Sequence, residues 1–162
     1  MAIADDLLTL AAHLAKPGAT DPEQAWLRRA ISTAYYALFQ LLVQEASQRW
    51  TGSPASRIGL ERTFRHDQMK EVCRVISTGS WRGWSTPQLP VPQELRDIAK
   101  SFTSLQEARH QADYNNEKSW TQTEVAAKLN DAGTAFQNWK KIDGTQVANE
   151  YLLSLMIGKK RE

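Results

Sequence analysis

Arg109, His110, Asp113 and Tyr114 bring four reactive or charged side chains into one short stretch, Glu107-Ala-Arg-His-Gln-Ala-Asp-Tyr114. An arginine presents a permanently charged planar fork that matches a phosphate or a carboxylate. A histidine titrates close enough to neutrality to move protons. Side by side, Arg109 and His110 are the candidate catalytic pair: the first could stabilise charge on a phosphorus in flight, the second could carry the proton. The same residues have a purely structural use. Asp113 follows Arg109 by one helical turn and can meet its guanidinium. Together with Tyr114, Tyr35 and Tyr36, Asp113 would then make a polar network that ties two helices together.

The position of Arg109 sharpens the question. Alternating steps of three and four back from Ala112 pass through Arg109, Leu105, Phe102, Ile98 and Leu95, the seam of a helix packed on another helix. An unpaired charge in such a seam costs on the order of several kcal/mol, so Arg109 needs an acceptor. That acceptor is a carboxylate, a carbonyl or a partner's phosphate.

Other chemistries find little support. His13, His66 and His110 sit on separate elements without His-x-x-x-His or paired-cysteine spacing, so no metal site is expected. Neither a Gly-x-Ser-x-Gly elbow nor a phosphate-cradling glycine loop occurs, and no cofactor is implied. The single cysteine, Cys73, excludes an internal disulfide and lies on an apolar helical face.

The elements that must position the stretch read as helices throughout. Leu7, Leu10, Ala11 and Leu14 mark a first amphipathic helix from about Ile3 to Lys16, ended by Lys16-Pro17-Gly18. Asp21-Pro22 starts a second, long helix with no breaker before Gly52. Two apolar stripes, through Leu27, Ile31, Ala34, Leu38, Leu41 and through Ser32, Tyr35, Phe39, Leu42, cover most of its circumference and make it central. After the loop Thr51–Ser56, with Ser56 as the cap, a third helical stretch is expected from about Ile58 to Ile76. Glycines and prolines make Ser77–Pro92 a long loop, which Trp81 and Trp84 either pin to the core or offer as a surface. The fourth helix starts near Pro92 or Gln93 and carries the Arg109 seam. Thr121-Gln-Thr-Glu124 is a capping box that opens the fifth. Asp143-Gly144-Thr145 breaks that helix, and Val147, Tyr151, Leu152, Leu155 and Met156 form a short last one.

The chain is therefore read as all-α, about five helices plus a short C-terminal helix, in one domain over its 162 residues. With 20 Lys and Arg against 18 Asp and Glu, the net charge of +2 does not by itself argue for a nucleic-acid partner. Charge is local instead: between Arg49 and Arg82, seven cations stand against three anions, leaving +4. The acidic start at Asp5 and Asp6, and the lack of any run long enough to span a bilayer, point to a soluble cytoplasmic protein that does not engage membranes.

Two stretches carry a family likeness. Leu27-Arg-Arg-Ala-Ile-Ser-Thr-Ala-Tyr-Tyr-Ala-Leu-Phe39 and Arg109-His-Gln-Ala-Asp-Tyr114 resemble the Ala-Tyr-Tyr-Ala-x-Phe helix and the Arg-x-x-Ala-Asp-Tyr signature of the HEPN superfamily. The likeness covers roughly Asp21 to Lys141. It implies an up-and-down helical bundle, a homodimer with the arginine motif at a cleft between protomers, and a role in prokaryotic RNA or nucleotide metabolism, as in a toxin–antitoxin or defence module. A nucleotidyltransferase-like protein is the implied partner. Ribonuclease members place a histidine where this chain has Tyr114, Asn115 and Asn116, so the usual general acid/base is missing. The leading expectation is an RNA- or nucleotide-phosphate-binding groove formed by Arg109, Arg29, Arg62, Arg65 and His66. The second is a non-catalytic interaction or dimerisation module. The third is a metal-independent endoribonuclease in which His110 replaces the missing base.

Overall fold

The computed structural model describes residues 2–16, 23–84 and 88–158. It is 76% helical, with seven helices and no strand among the described residues, an all-α helical bundle. The helices are α1 (Ile3–Leu14), α2 (Glu23–Gln48), α3 (Pro54–Glu61), α4 (His66–Ser77), α5 (Gln93–Tyr114), α6 (Gln122–Ile142) and α7 (Gln146–Ile157). The expected Asp21-Pro22 start of α2 falls outside the described residues. Among the described residues no helix is long and apolar enough to cross a membrane. The chain divides into two compact units, one of Met1–Leu41 and Ser101–Gln137, the other of Leu42–Lys100 and Asn138–Glu162. Helices α2, α5 and α6 contribute to both.

In the first unit, α2 is covered as its two stripes require: every residue from Ala30 to Tyr35 is buried. Leu27, Ala30 and Ile31 of α2 pack with Ala108 and Ala112 of α5, and with Trp120 and Val125 beyond it. The alanines remove the bulk that would hold the two backbones apart. Tyr35 and Phe102, both fully buried, place their rings 5.5 Å apart. The chain returns to α6 through a tight exchange: Gln24 donates to the Trp120 carbonyl at 2.7 Å and accepts from the Trp120 N–H at 2.9 Å. The capping box forms as spelled, with Thr121 Oγ1 accepting from the Glu124 N–H at 3.2 Å and Glu124 accepting from the Thr121 N–H at 2.9 Å.

In the second unit the expected helix from Ile58 to Ile76 is two helices, α3 and α4. The apolar spacing explains the break. Phe64 and Met69 are both buried but stand five residues apart, a phase slip of roughly 140° that one continuous helix cannot bury on one face. The chain resolves the slip with a turn at Arg62 and Thr63, then extends at Arg65 (φ −121°, ψ 133°) before α4 begins. The cap of α3 is also earlier than expected: Ser53, not Ser56, accepts, taking the Ser56 N–H at 3.2 Å with Pro54 opening the helix. Between α4 and α7, Cys73 Sγ lies 3.1 Å from the Tyr151 hydroxyl, and both are buried. Burial pushes the Cys73 thiol up to about 12 and the Tyr151 phenol well above its ordinary value, so neither ionises in the folded protein near neutral pH. The Trp81 ring is buried and so pins its loop, whereas Trp84 stays exposed while its backbone N–H donates to the buried Glu150 carboxylate at 3.1 Å. A Cβ at Gly83 would collide with that carboxylate.

Candidate functional site

Arg109 lies in the first unit and meets its acceptors on two helices. Its Nη1 donates to the Tyr36 hydroxyl at 3.2 Å and stands 3.6 Å from Asp113 Oδ2, one turn along α5. The guanidinium carbon sits 5.2 Å from the Tyr35 ring centre and 5.6 Å from that of Tyr36, within cation–π range of both. The side chain is 16% exposed, and its Nε is buried with no hydrogen-bond partner. Asp113 Oδ2 also accepts from the Ser32 hydroxyl at 3.2 Å.

These contacts follow a pattern on α2 that spacing could have revealed. Arg28, Ser32 and Tyr36 recur every four residues, a polar stripe on an otherwise apolar helix. Each meets α5: Tyr36 pairs with Arg109, Ser32 with Asp113, and Arg28 with the helix end. Rising numbers on α2 meet falling numbers on α5, so the two helices run antiparallel here. Arg28 donates to the carbonyls of Ala112 at 2.8 Å and Asn115 at 2.9 Å, and to that of Lys118. At Ala112 it satisfies one of the backbone acceptors that the end of α5 leaves without an intrahelical donor, and at Asn115 and Lys118 it holds the turn that follows, all at the negative pole of the helix. Sequence reasoning missed this role and the role of Ser32.

Arg29 points elsewhere, since neighbouring residues on a helix diverge by about 100°. It is exposed and has no ion-pair partner among the described residues. With Ala25, Arg28, Ala112, Asp113 and Tyr114 it lines a hollow of about 440 Å³. Tyr114, named with Asp113 in the expected polar network, stands 67% exposed on the wall of this hollow, its ring centre 5.1 Å from that of His110. His110 is itself exposed on α5. The arrangement can hold an anion at Arg29 and present an aromatic face beside it, with Asp113 oriented by Ser32 and Arg109.

The remaining candidates belong to the second unit. Arg62 ends α3 in solvent, Arg65 pairs with Asp67 at 2.8 Å, and His66 opens α4 half-buried. The pairing holds the Asp67 carboxyl below its usual range. Much of the local charge in this segment is spent internally. Arg74 grips Glu71 through two bonds of 2.9 and 2.8 Å, and Arg49 engages Glu45, Asp143 and Asn149. Arg49 also lines a second hollow of about 430 Å³, otherwise walled mostly by Ala46, Trp50, Leu60, Leu152, Leu153 and Met156. Among the described residues no three of His, Cys, Asp and Glu gather closely enough to hold a metal ion. Comparison with known proteins finds no matching family model, no matching curated protein and no matching solved structure.

Proposed function

We propose that this chain is a HEPN-like protein of RNA or nucleotide metabolism that binds RNA or nucleotide phosphate beside Arg109 and lacks the usual ribonuclease histidine. The observation that supports this most is the meeting of its two signature stretches. They are separated by the 69 residues from 40 to 108, yet Arg28, Ser32 and Tyr36 of one bond directly to residues at or just beyond the other. Their contact organises Arg109 and leaves the exposed cation Arg29 on the lining of a hollow of about 440 Å³, a size that suits a small ligand or part of a larger one. Arg109 is mostly covered, so its role is to fix Asp113 and the tyrosines, and Arg29 makes the first contact with phosphate.

The test is binding of short single-stranded RNA across a salt series. A phosphate-binding site loses affinity as salt rises, and Arg29→Ala weakens binding and flattens that slope. No RNA affinity even at low salt would remove the reading.

A second reading, a non-catalytic interaction or dimerisation module, draws support from the apolar hollow of the second unit, where Trp50 is 50% and Leu153 38% exposed. It predicts concentration-dependent association in sedimentation without RNA affinity.

A further inference from the structure

We infer that Tyr114, backed by His110, is a stacking platform for one unpaired base of a single-stranded RNA whose adjoining phosphate is held by Arg29. The inference rests on the phosphate-binding reading and adds to it the group that contacts the base. Tyr114 is 67% exposed at the end of α5, on the wall of the hollow that Arg29 also lines. A tyrosine left so bare gains nothing from burial, and an aromatic face at the rim of a charged hollow suits the π-face of a base. The His110 ring, 5.1 Å away and tilted by 51°, limits how far the tyrosine can swing on the His110 side.

The two guanidiniums in the hollow are not equivalent. Arg28 is committed to the carbonyls of Ala112, Asn115 and Lys118, which leaves Arg29 as the uncommitted donor. Asp113 supplies the opposite charge. Its Oδ2 is taken by Ser32 and Arg109, and its carboxylate repels phosphate from its own side of the hollow. The phosphate is therefore directed to Arg29 and the base to Tyr114.

Because Tyr114 is exposed, its truncation leaves the fold intact, and Tyr114→Phe serves as the conservative control. The measurement is anisotropy of a labelled single-stranded RNA, repeated with an abasic strand of the same length, together with the fluorescence of a strand carrying 2-aminopurine. Tyr114→Ala weakens binding of the intact strand by roughly five- to 150-fold, the range set by loss of one base–aromatic stack. Tyr114→Phe keeps the affinity, the abasic strand binds wild type and Tyr114→Ala equally, and 2-aminopurine is quenched by wild type but not by Tyr114→Ala. If Tyr114→Ala binds the intact strand as tightly as wild type, with the same salt dependence, stacking is wrong while phosphate binding stands. Loss of all RNA binding in wild type at low salt overturns both. Displacement of the strand by AMP at comparable concentration overturns the assignment to a strand in favour of a free nucleotide.

Discussion

The hollow beside Asp113 and the hollow beside Arg49 are almost equal in size, about 440 and about 430 Å³, and differ in what their arginines are free to do. In the second unit Arg49 is heavily engaged: Glu45, Asp143 and Asn149 take bonds from all three of its nitrogens, and the Trp139 ring lies 5.8 Å from its guanidinium carbon. That arginine is a clamp joining the ends of α2 and α6 to the start of α7, and the hollow next to it is left apolar. In the first unit the work is divided between neighbours. Arg28 caps α5, Arg109 is held by Tyr36 and Asp113, and Arg29 is left to solvent. An arginine whose donors are mostly taken within the fold has little left with which to recruit an anion. Guanidinium occupancy therefore separates structural from functional arginines better than net charge does.

The largest expected effect comes from removing the aromatic floor under Arg109. Tyr35 is fully buried and touches Tyr36, Phe39 and Phe102 through its ring. Tyr35→Ala is expected to cost about 3–5 kcal/mol in urea unfolding, the range for truncating a buried aromatic, because it opens a cavity and strips one ring from the guanidinium. A cost under about 1 kcal/mol would mean that the region repacks and that Arg109 does not depend on its rings.

A pair of substitutions sets the two hollows directly against each other. Arg49→Ala should destabilise by about 1 kcal/mol, since the side chain is 31% exposed but holds several charged and polar partners, and should leave RNA affinity unchanged. Arg29→Ala should change stability by less than about 0.5 kcal/mol, as for an unpartnered surface residue, and should weaken RNA binding. The reverse pattern, with Arg49 carrying affinity and Arg29 carrying stability, would collapse the distinction.

Legibility in the sequence divides along the same line. The all-helical class, the extensive burial of α2, the capping box and the Arg109–Asp113 turn were all readable, because period and cap chemistry are local. The α3–α4 break was present as the five-residue step from Phe64 to Met69, but a general apolar face hid it. The charge excess between Arg49 and Arg82 could be counted, whereas its cancellation could not be foreseen in full. Arg65–Asp67 and Arg74–Glu71 are close in sequence, but Arg49 meets Asp143 only through folding. For the site, Arg109 announced itself by interrupting a seam. The difference between Arg28 and Arg29 needed the position of the α5 end, which no local pattern supplies.

The smallest effect concerns pH and again separates the units. In the first, Glu124 accepts from the Thr121 N–H and pairs with Lys118 at 3.1 Å, and these hold its carboxyl below the ordinary value of 4.5. A depressed folded pKa means the unfolded chain binds the proton more readily, so the stabilisation is complete above pH 4.5 and is lost as pH falls through the folded value. In the second, burial of Cys73 and Tyr151 raises their values, so the corresponding loss comes on the alkaline side, as the unfolded thiol ionises above its ordinary 9.0. Glu124→Gln isolates the acid limb of the first unit, since the amide oxygen still accepts from Thr121 but carries no charge for Lys118. Denaturation midpoints of wild type and variant should differ slightly at neutral pH and converge as pH falls below 4.5, while their decline above pH 9.0 stays parallel. A difference that persists unchanged into acid would show that the capping bond, rather than the charge, was what the substitution removed.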